Sequence, residues 1–342
     1  MMIANNKISF EAIILAVAVA LLAFVPLMAA APTASAAVNW TLPLTPNSIA
    51  PCLGAAARDP LNQPCFNSSL LFSVVPSPAD VRLGKGVMTK GSICSASTDR
   101  KEGQLIICSF GVPASQAKQQ VALIGDSHSL KWRTGMYQAA ISRGWRVTSI
   151  GKARCPFSTT ETTARTPEEL RSCQQWKREL PAWLRRNPQI STAFVSGKPP
   201  TPSNAAEMAR AIRGYQQQWK KLPKSVKRII VLRDNPRTLD STLPCIEQAM
   251  AAGKQAGLAC ALPRAAALDA FPDTIALAAR ALKKPNYGVI DLSKFYCDAK
   301  LCYPVIGGLL VNSDLDHLTP AFSATLAPFM LRALDKGRWL SR

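Results

Sequence analysis

The stretch Val121-Ala122-Leu123-Ile124-Gly125-Asp126-Ser127-His128-Ser129 decides how the chain is read. Four consecutive apolar residues predict a strand buried on both faces, as in a parallel sheet. Gly125 supplies a flexible turn, and Asp126-Ser127 stands where a strand hands over to a helix. Residues Leu130 to Ile141 then place apolar side chains at roughly helical spacing. A serine at this junction has two readings. It caps the helix, the commonest task of serine there, or it is a nucleophile at the carboxyl end of the sheet, where sites of open α/β folds gather. In the second reading its own backbone N–H, at a helix N-terminus, is ready to bind a developing oxyanion.

Working outward, the same alternation continues. Trp145–Ile150, Ile190–Val195, Val226–Leu232 and Tyr287–Leu292 read as four further strands. Between them, Thr166-Pro167-Glu168-Glu169 combines a cap, a first-position proline and early acids, and starts a helix that runs to about Arg186. Further helices are predicted over Ser203–Lys220, around Ile246–Ala256, around Thr274–Leu282, and from Thr319-Pro320 through Leu334. Five strands alternating with helices predict an α/β fold with a parallel sheet covered on both faces. Ser127, Gly151, the segment after Val195 and Asp234-Asn235-Pro236 all fall at the carboxyl ends of these strands. Leu105-Ile106-Ile107 is an apolar patch leading into or packing on this fold.

The N-terminal part has a different character. An apolar run from Ala12 to Val25 follows Lys7 and precedes Ala34-Ser35-Ala36-Ala37. That order predicts a secretory signal peptide over residues 1–36, cleaved after Ala36 or Ala37, with an N-terminal membrane anchor as the rival. Residues 37–78, rich in Pro, Ser and Asn, read as a loop-rich extension stapled by a disulfide. The cored domain is expected over residues 79–342.

Ten cysteines, all beyond the apolar run, agree with export and with disulfides. Joining sequence neighbours gives Cys52–Cys65, Cys94–Cys108, Cys155–Cys173, Cys245–Cys260 and Cys297–Cys302 as the expected pairs. With no Cys-x-x-Cys pair and two histidines, zinc is not expected. The net charge of +20 is large, but its cations are spread along the chain, and no aromatic-interleaved motif for nucleic acid occurs. An anionic membrane or envelope polymer, or a merely solvated basic surface, are the two readings of that charge.

A serine nucleophile needs a base, and the chain offers only His128 and His317. His128, adjacent to Ser127, is poorly placed to take that hydroxyl's proton, which leaves His317. An acid must orient the base. In Asn312-Ser313-Asp314-Leu315-Asp316-His317, the residue three back folds round to the ring more easily than the neighbour does. Asp314 is therefore preferred, with Asp316 left as a solvated or loop-capping residue. A structural Asx-turn beside a satisfied histidine is the bland alternative. A dinuclear metallophosphoesterase, suggested by Gly-Asp-x-His, fails for want of further ligands. No metal and no cofactor is expected.

Gly125-Asp126-Ser127-His128 near the start of the α/β domain and Asp314-x-x-His317 near its end resemble the SGNH (GDSL-like) hydrolase superfamily. The likeness is greatest to the extracytoplasmic SGNH domains of acyltransferase-3 proteins. It is carried also by Cys155-Pro156, by Cys173 with Trp176, by Asp234-Asn235-Pro236-Arg237 ahead of Pro244-Cys245, by Asp291-Leu292 with Cys297 and Cys302, and by His317-Leu318-Thr319. The resemblance implies a flavodoxin-like three-layer α/β/α fold with a central five-stranded parallel sheet. It also implies serine ester chemistry on O-acylated, notably O-acetylated, envelope glycans. Ser127 would be the nucleophile, His317 the base and Asp314 its partner, with the amides of Ser127 and Gly151 in the oxyanion hole. Two departures stand out. Ser196-Gly197-Lys198-Pro199 lacks the superfamily's asparagine, and where the branch usually has some ten membrane helices this sequence shows at most one apolar segment. Hydrolysis, or transfer from a donor delivered by a separate membrane acyltransferase, are both consistent with this. The rival from another class is a non-catalytic envelope glycan-binding protein on the same fold.

Overall fold

The computed structural model describes residues 51–83, 100–160 and 163–340. The expected signal or anchor segment and Cys94, hence the Cys94–Cys108 pair, lie outside them. Seven strands form the main sheet: β1 (Arg100–Glu102), β2 (Leu105–Gly111), β3 (Gln119–Gly125), β4 (Trp145–Gly151), β5 (Ile190–Ser196), β6 (Arg228–Leu232) and β7 (Tyr287–Ile290), in the order β1-β2-β4-β3-β5-β6-β7. The five expected strands, β3 to β7, run parallel. Counted along the chain, they lie in the flavodoxin-like order 2-1-3-4-5, whose switch point falls between β3 and β5.

The structure adds two strands to that expectation. The patch Leu105-Ile106-Ile107 is the start of β2, which pairs antiparallel with β4 and with β1. Leu105 and Ile107 are buried on one face of β2 and Cys108 and Phe110 on the other, while Ile106, near the start of the strand, is 46% exposed.

Strand alternation divides the core. Val121 and Leu123 join Met136, Phe322, Met330 and Leu334 on one face of the sheet. Ala122 and Ile124 face Trp176, Leu180, Tyr215, Trp219 and Ile275 on the other. The first face is covered by α2 (Arg133–Arg143), α7 (Pro320–Thr325) and α8 (Ala327–Gly337). The second is covered by α3 (Pro167–Arg186), α4 (Ala205–Trp219) and α6 (Thr274–Ala281). Each fully buried leucine in these layers contributes roughly 1.5–3 kcal/mol relative to exposure. The result is a three-layer α/β/α fold.

Helix ends follow local chemistry. Thr166 caps α3 through the Glu169 N–H with Pro167 behind it, and Thr319 caps α7 through the Phe322 N–H with Pro320 behind it. Two helices depart from the expected spans. The final helix breaks at Leu326, because Pro328 has no N–H to return to Ala324 and its ring crowds that carbonyl. The helix expected around Ile246–Ala256 is α5 (Thr242–Ala251), beginning earlier because Pro244 sits in a first turn that needs no donor.

Pro181 lies inside α3 and withholds the N–H that would reach the Lys177 carbonyl. That carbonyl accepts instead from Gln218 Nε2 of α4 at 3.0 Å. Gln218→Leu keeps the volume and removes the bond. It is expected to cost about 1–2 kcal/mol and to lower the thermal midpoint by about 3–6 °C.

Residues 51–83 do not stand apart from the domain. Leu53 and Ala55 belong to its core. The Gly54 N–H donates to the Gly307 carbonyl, the Ala55 N–H to Thr325 Oγ1, and Val75 pairs with Leu309. Disulfides join Cys52 to Cys65, Cys155 to Cys173, Cys245 to Cys260 and Cys297 to Cys302.

Candidate active site

β3 ends at Gly125, where a Cβ would lie 1.7 Å from the Ser196 carbonyl oxygen of β5. Only glycine lets the two strands approach so closely at the switch point. The chain then enters α1 (Ser127–Lys131), capped by Asp126, which accepts the His128 N–H at 2.9 Å. The other oxygen of the same buried carboxylate accepts the Lys198 N–H at 2.9 Å, tying the β5 loop to the β3 loop. Burial raises the Asp126 pKa, against the pull of His128. Ser127 thus occupies the first helical position, half-buried, with its hydroxyl on the carboxyl edge of the sheet.

The loop before α7 closes on itself. Ser313 N–H donates to the His317 carbonyl at 2.8 Å, and Asp314 Oδ1 accepts the N–H groups of Asp316 and His317. The loop after β6 holds it from outside. Asn235 Nδ2 donates to the Asp316 carbonyl at 2.9 Å, and Thr238 Oγ1 donates to the Asp314 carbonyl at 3.0 Å. This closure brings His317 Nε2 within 2.8 Å of Ser127 Oγ, across 190 residues of sequence. His317 Nδ1 lies 2.8 Å from Asp314 Oδ2. Burial would raise the Asp314 pKa, but hydrogen bonds from the His317 ring and backbone outweigh it and hold the carboxyl at about 2.

Asp316 corrects the expectation of a solvated residue. It is buried, whereas Asp314 is exposed. Its carboxylate makes an ion pair with Lys198 Nζ and lies 3.6 Å from His128 Nε2 and 3.5 Å from His317 Nδ1. Burial opposes its ionisation, yet hydrogen bonding to His128 and Lys198 lowers its pKa well below the usual range. His128 is likewise buried, at 2% exposure, and its Nδ1 donates to Asp234 Oδ1 at 2.8 Å. Burial alone would neutralise this ring; the charge of Asp234 and its hydrogen bond win and raise the pKa to about 10. The imidazolium packs against His317 with ring centroids 4.7 Å apart.

The sequence placed Asp234 and Lys198 in strand-end loops but gave neither a role. The available signal was the histidine beside Ser127, whose charge calls for carboxylates from other loops. Gly151 faces Gly125 across the β3–β4 ladder. A Cβ there would lie 2.3 Å from Leu130 Cδ2, so this glycine lets α1 pack on β4. The Lys152 N–H donates to the Gly125 carbonyl, which ties the end of β4 to the end of β3.

His128, Asp316 and His317 present potential ligand atoms within 4.8 Å of one another. Internal partners already engage them: Asp234 on His128, Lys198 on Asp316, and both Ser127 and Asp314 on His317. A cation placed there would meet the Lys198 ammonium.

A hydroxyl, an imidazole and a carboxylate in series, on the carboxyl edge of a flavodoxin-like α/β/α sheet, define the class of α/β proteins built around a serine. The chain belongs to the family of SGNH domains fused to AT3 domains, which it matches over residues 93–332. Among solved structures, the periplasmic domain of a lipopolysaccharide acetyltransferase from Salmonella ser. Paratyphi A superposes with a TM-score of 0.51 at 14% identity, covering 77% of this chain and 97% of that one. No curated protein matches the chain.

Proposed function

We propose that the protein is an extracytoplasmic serine esterase or O-acyltransferase acting on O-acyl groups, acetyl above all, of cell-envelope carbohydrate. The observation that carries this is the relay Ser127–His317–Asp314, two hydrogen bonds of 2.8 Å in series. A protein that only bound glycan would have no need of that alignment. Four disulfides among the described residues, the N-terminal apolar run and the periplasmic setting of the Salmonella relative support the compartment. The acetyltransferase name of that relative supports the acyl chemistry.

In this reading Ser127 Oγ attacks the acyl carbonyl while His317 Nε2 takes its proton. The Ser127 N–H, at the first position of α1, holds the oxyanion, and Asp314 holds the imidazolium and its tautomer. Collapse expels the sugar oxygen, which receives the proton from His317 and leaves an acyl-Ser127 ester. Water, or a glycan hydroxyl, then gives its proton to His317 and attacks the acyl carbon; the acyl–Oγ bond breaks and Ser127 Oγ recovers the proton from His317.

Asp314→Asn keeps the shape but offers His317 Nδ1 the wrong partner, and kcat for an activated acetyl ester is expected to fall by about 10²–10⁴. The direct test supplies an acetylated glycan fragment with and without an acceptor glycan and follows free acetate and acetylated acceptor by mass spectrometry. Free acetate alone identifies an esterase, and labelled acceptor a transferase. Neither product, together with no acyl group on the Ser127 peptide, would sink the reading.

A further inference from the structure

The two edges of the sheet differ in how their charges are met: the acids of the carboxyl edge have cationic partners in their own loops, and the cations of the amino edge do not. Asp126, Asp234, Asp291, Asp314 and Asp316 gather at the carboxyl edge. At the amino edge, Lys220 and Lys221 follow α4, and Lys224, Lys227 and Arg228 lead into β6. Lys283 and Lys284 lie between α6 and β7. These two groups share one face. β6 and β7 are neighbours with Ile229 opposite Tyr287, and Gln216 Nε2 of α4 donates to the Ala278 carbonyl of α6 at 3.0 Å.

All seven cations are exposed, and none makes an ion pair with a described residue. No Asp or Glu occurs between Glu207 and Asp234 or between Asp273 and Asp291, so the face has no acid of its own from these segments. Helix C-termini attract cations, which accounts for Lys220, Lys221, Lys283 and Lys284. It does not account for Lys224, Lys227 and Arg228, which belong to no helix. Six of the seven are lysines. As hydrated point charges without the planar fork of arginine, they respond to charge density rather than to the shape of one phosphate.

We propose that this amino edge is a docking surface for an anionic phospholipid bilayer, which holds the domain with Ser127 directed away from the lipid. The cations stand at the end of the parallel strands opposite Ser127, so docking through them sets the orientation. With β3 spanning about 20 Å, the relay stays clear of the headgroups, so docking and chemistry are separable.

The test is partition of the full chain onto phosphatidylcholine vesicles with and without about one-third phosphatidylglycerol, at low and at raised salt. Two variants of equal charge are compared: Lys221, Lys224 and Lys227→Gln on the face, and Lys101, Lys254 and Lys300→Gln away from it. The face variant is expected to lose roughly 10–100-fold of its partition onto anionic vesicles, while the control stays within about twofold of the wild type. Both variants should turn over a soluble acetyl ester at the wild-type rate if the chain is an esterase; their binding is read independently of that. Equal losses in the two variants would overturn the proposal, as would equal partition onto neutral and anionic vesicles. So would binding to soluble poly(glycerol phosphate) without binding to vesicles.

Discussion

Ser127→Ala is expected to lower turnover of an activated acetyl ester by about 10⁴–10⁶-fold. Alanine lacks the Oγ that lies 2.8 Å from His317 Nε2. What persists is the Ser127 position's backbone N–H and the His317–Asp314 pair, enough for the residual acceleration that binding and an oxyanion donor give. Asp126, not Ser127, caps α1, and Ser127 is half-buried, so the thermal midpoint should move by no more than about 2–3 °C. The loss is therefore chemical rather than a matter of folding. Steady-state rates and a melting curve on the same preparation check it. Equal rates for variant and wild type would remove Ser127 from the chemistry altogether.

His128→Leu is expected to act on stability. The substitution removes the cation that Asp234 bonds and that lies 3.6 Å from Asp316. Breaking one partner out of a buried ionic cluster leaves carboxylates uncompensated, worth about 3–5 kcal/mol, or a fall of roughly 6–15 °C in a domain of this size. Its signature is in the pH dependence. The His128 pKa is raised from 6.5 to about 10 on folding, so its stabilising effect is complete below about 6.5, shrinks as pH rises, and is gone above about 10. Wild-type stability should decline across that window, and the leucine variant should decline less. Calorimetric scans at stepped pH measure both slopes. Identical slopes would mean that the ring is neutral in the folded protein.

Much of the frame was legible along the chain, because each cue was local. Val121–Ile124 is apolar on both faces and is a central strand; Thr166-Pro167 and Thr319-Pro320 start helices where cap and proline agree. The Asp314-x-x-His317 spacing was readable for a similar reason, since a turn of that length folds Asp314 back onto the ring. What escaped depends on distant partners. Nothing within Leu105–Ile107 says that it pairs with β4. Asp316 reads as a loop acid until Lys198 and His128, from two other loops, close over it. Gly151 stands at the expected strand end, but its glycine character answers to Leu130 of α1, a packing demand that motif spacing does not express.

The strap formed by residues 51–75 has a consequence for the order of assembly. Its partners, Gly307, Leu309 and Thr325, lie near the other end of the chain, and the Ala55–Thr325 bond spans 270 residues. Synthesis delivers the strap first, yet its seat exists only once the last helices have been made. Closing so long a loop is slow relative to local pairing, whereas the Cys52–Cys65 link spans only 13 residues and can form while the strap waits. Until then Leu53 and Ala55 remain outside the core they will join. The first part of the domain to be made is the last to be seated.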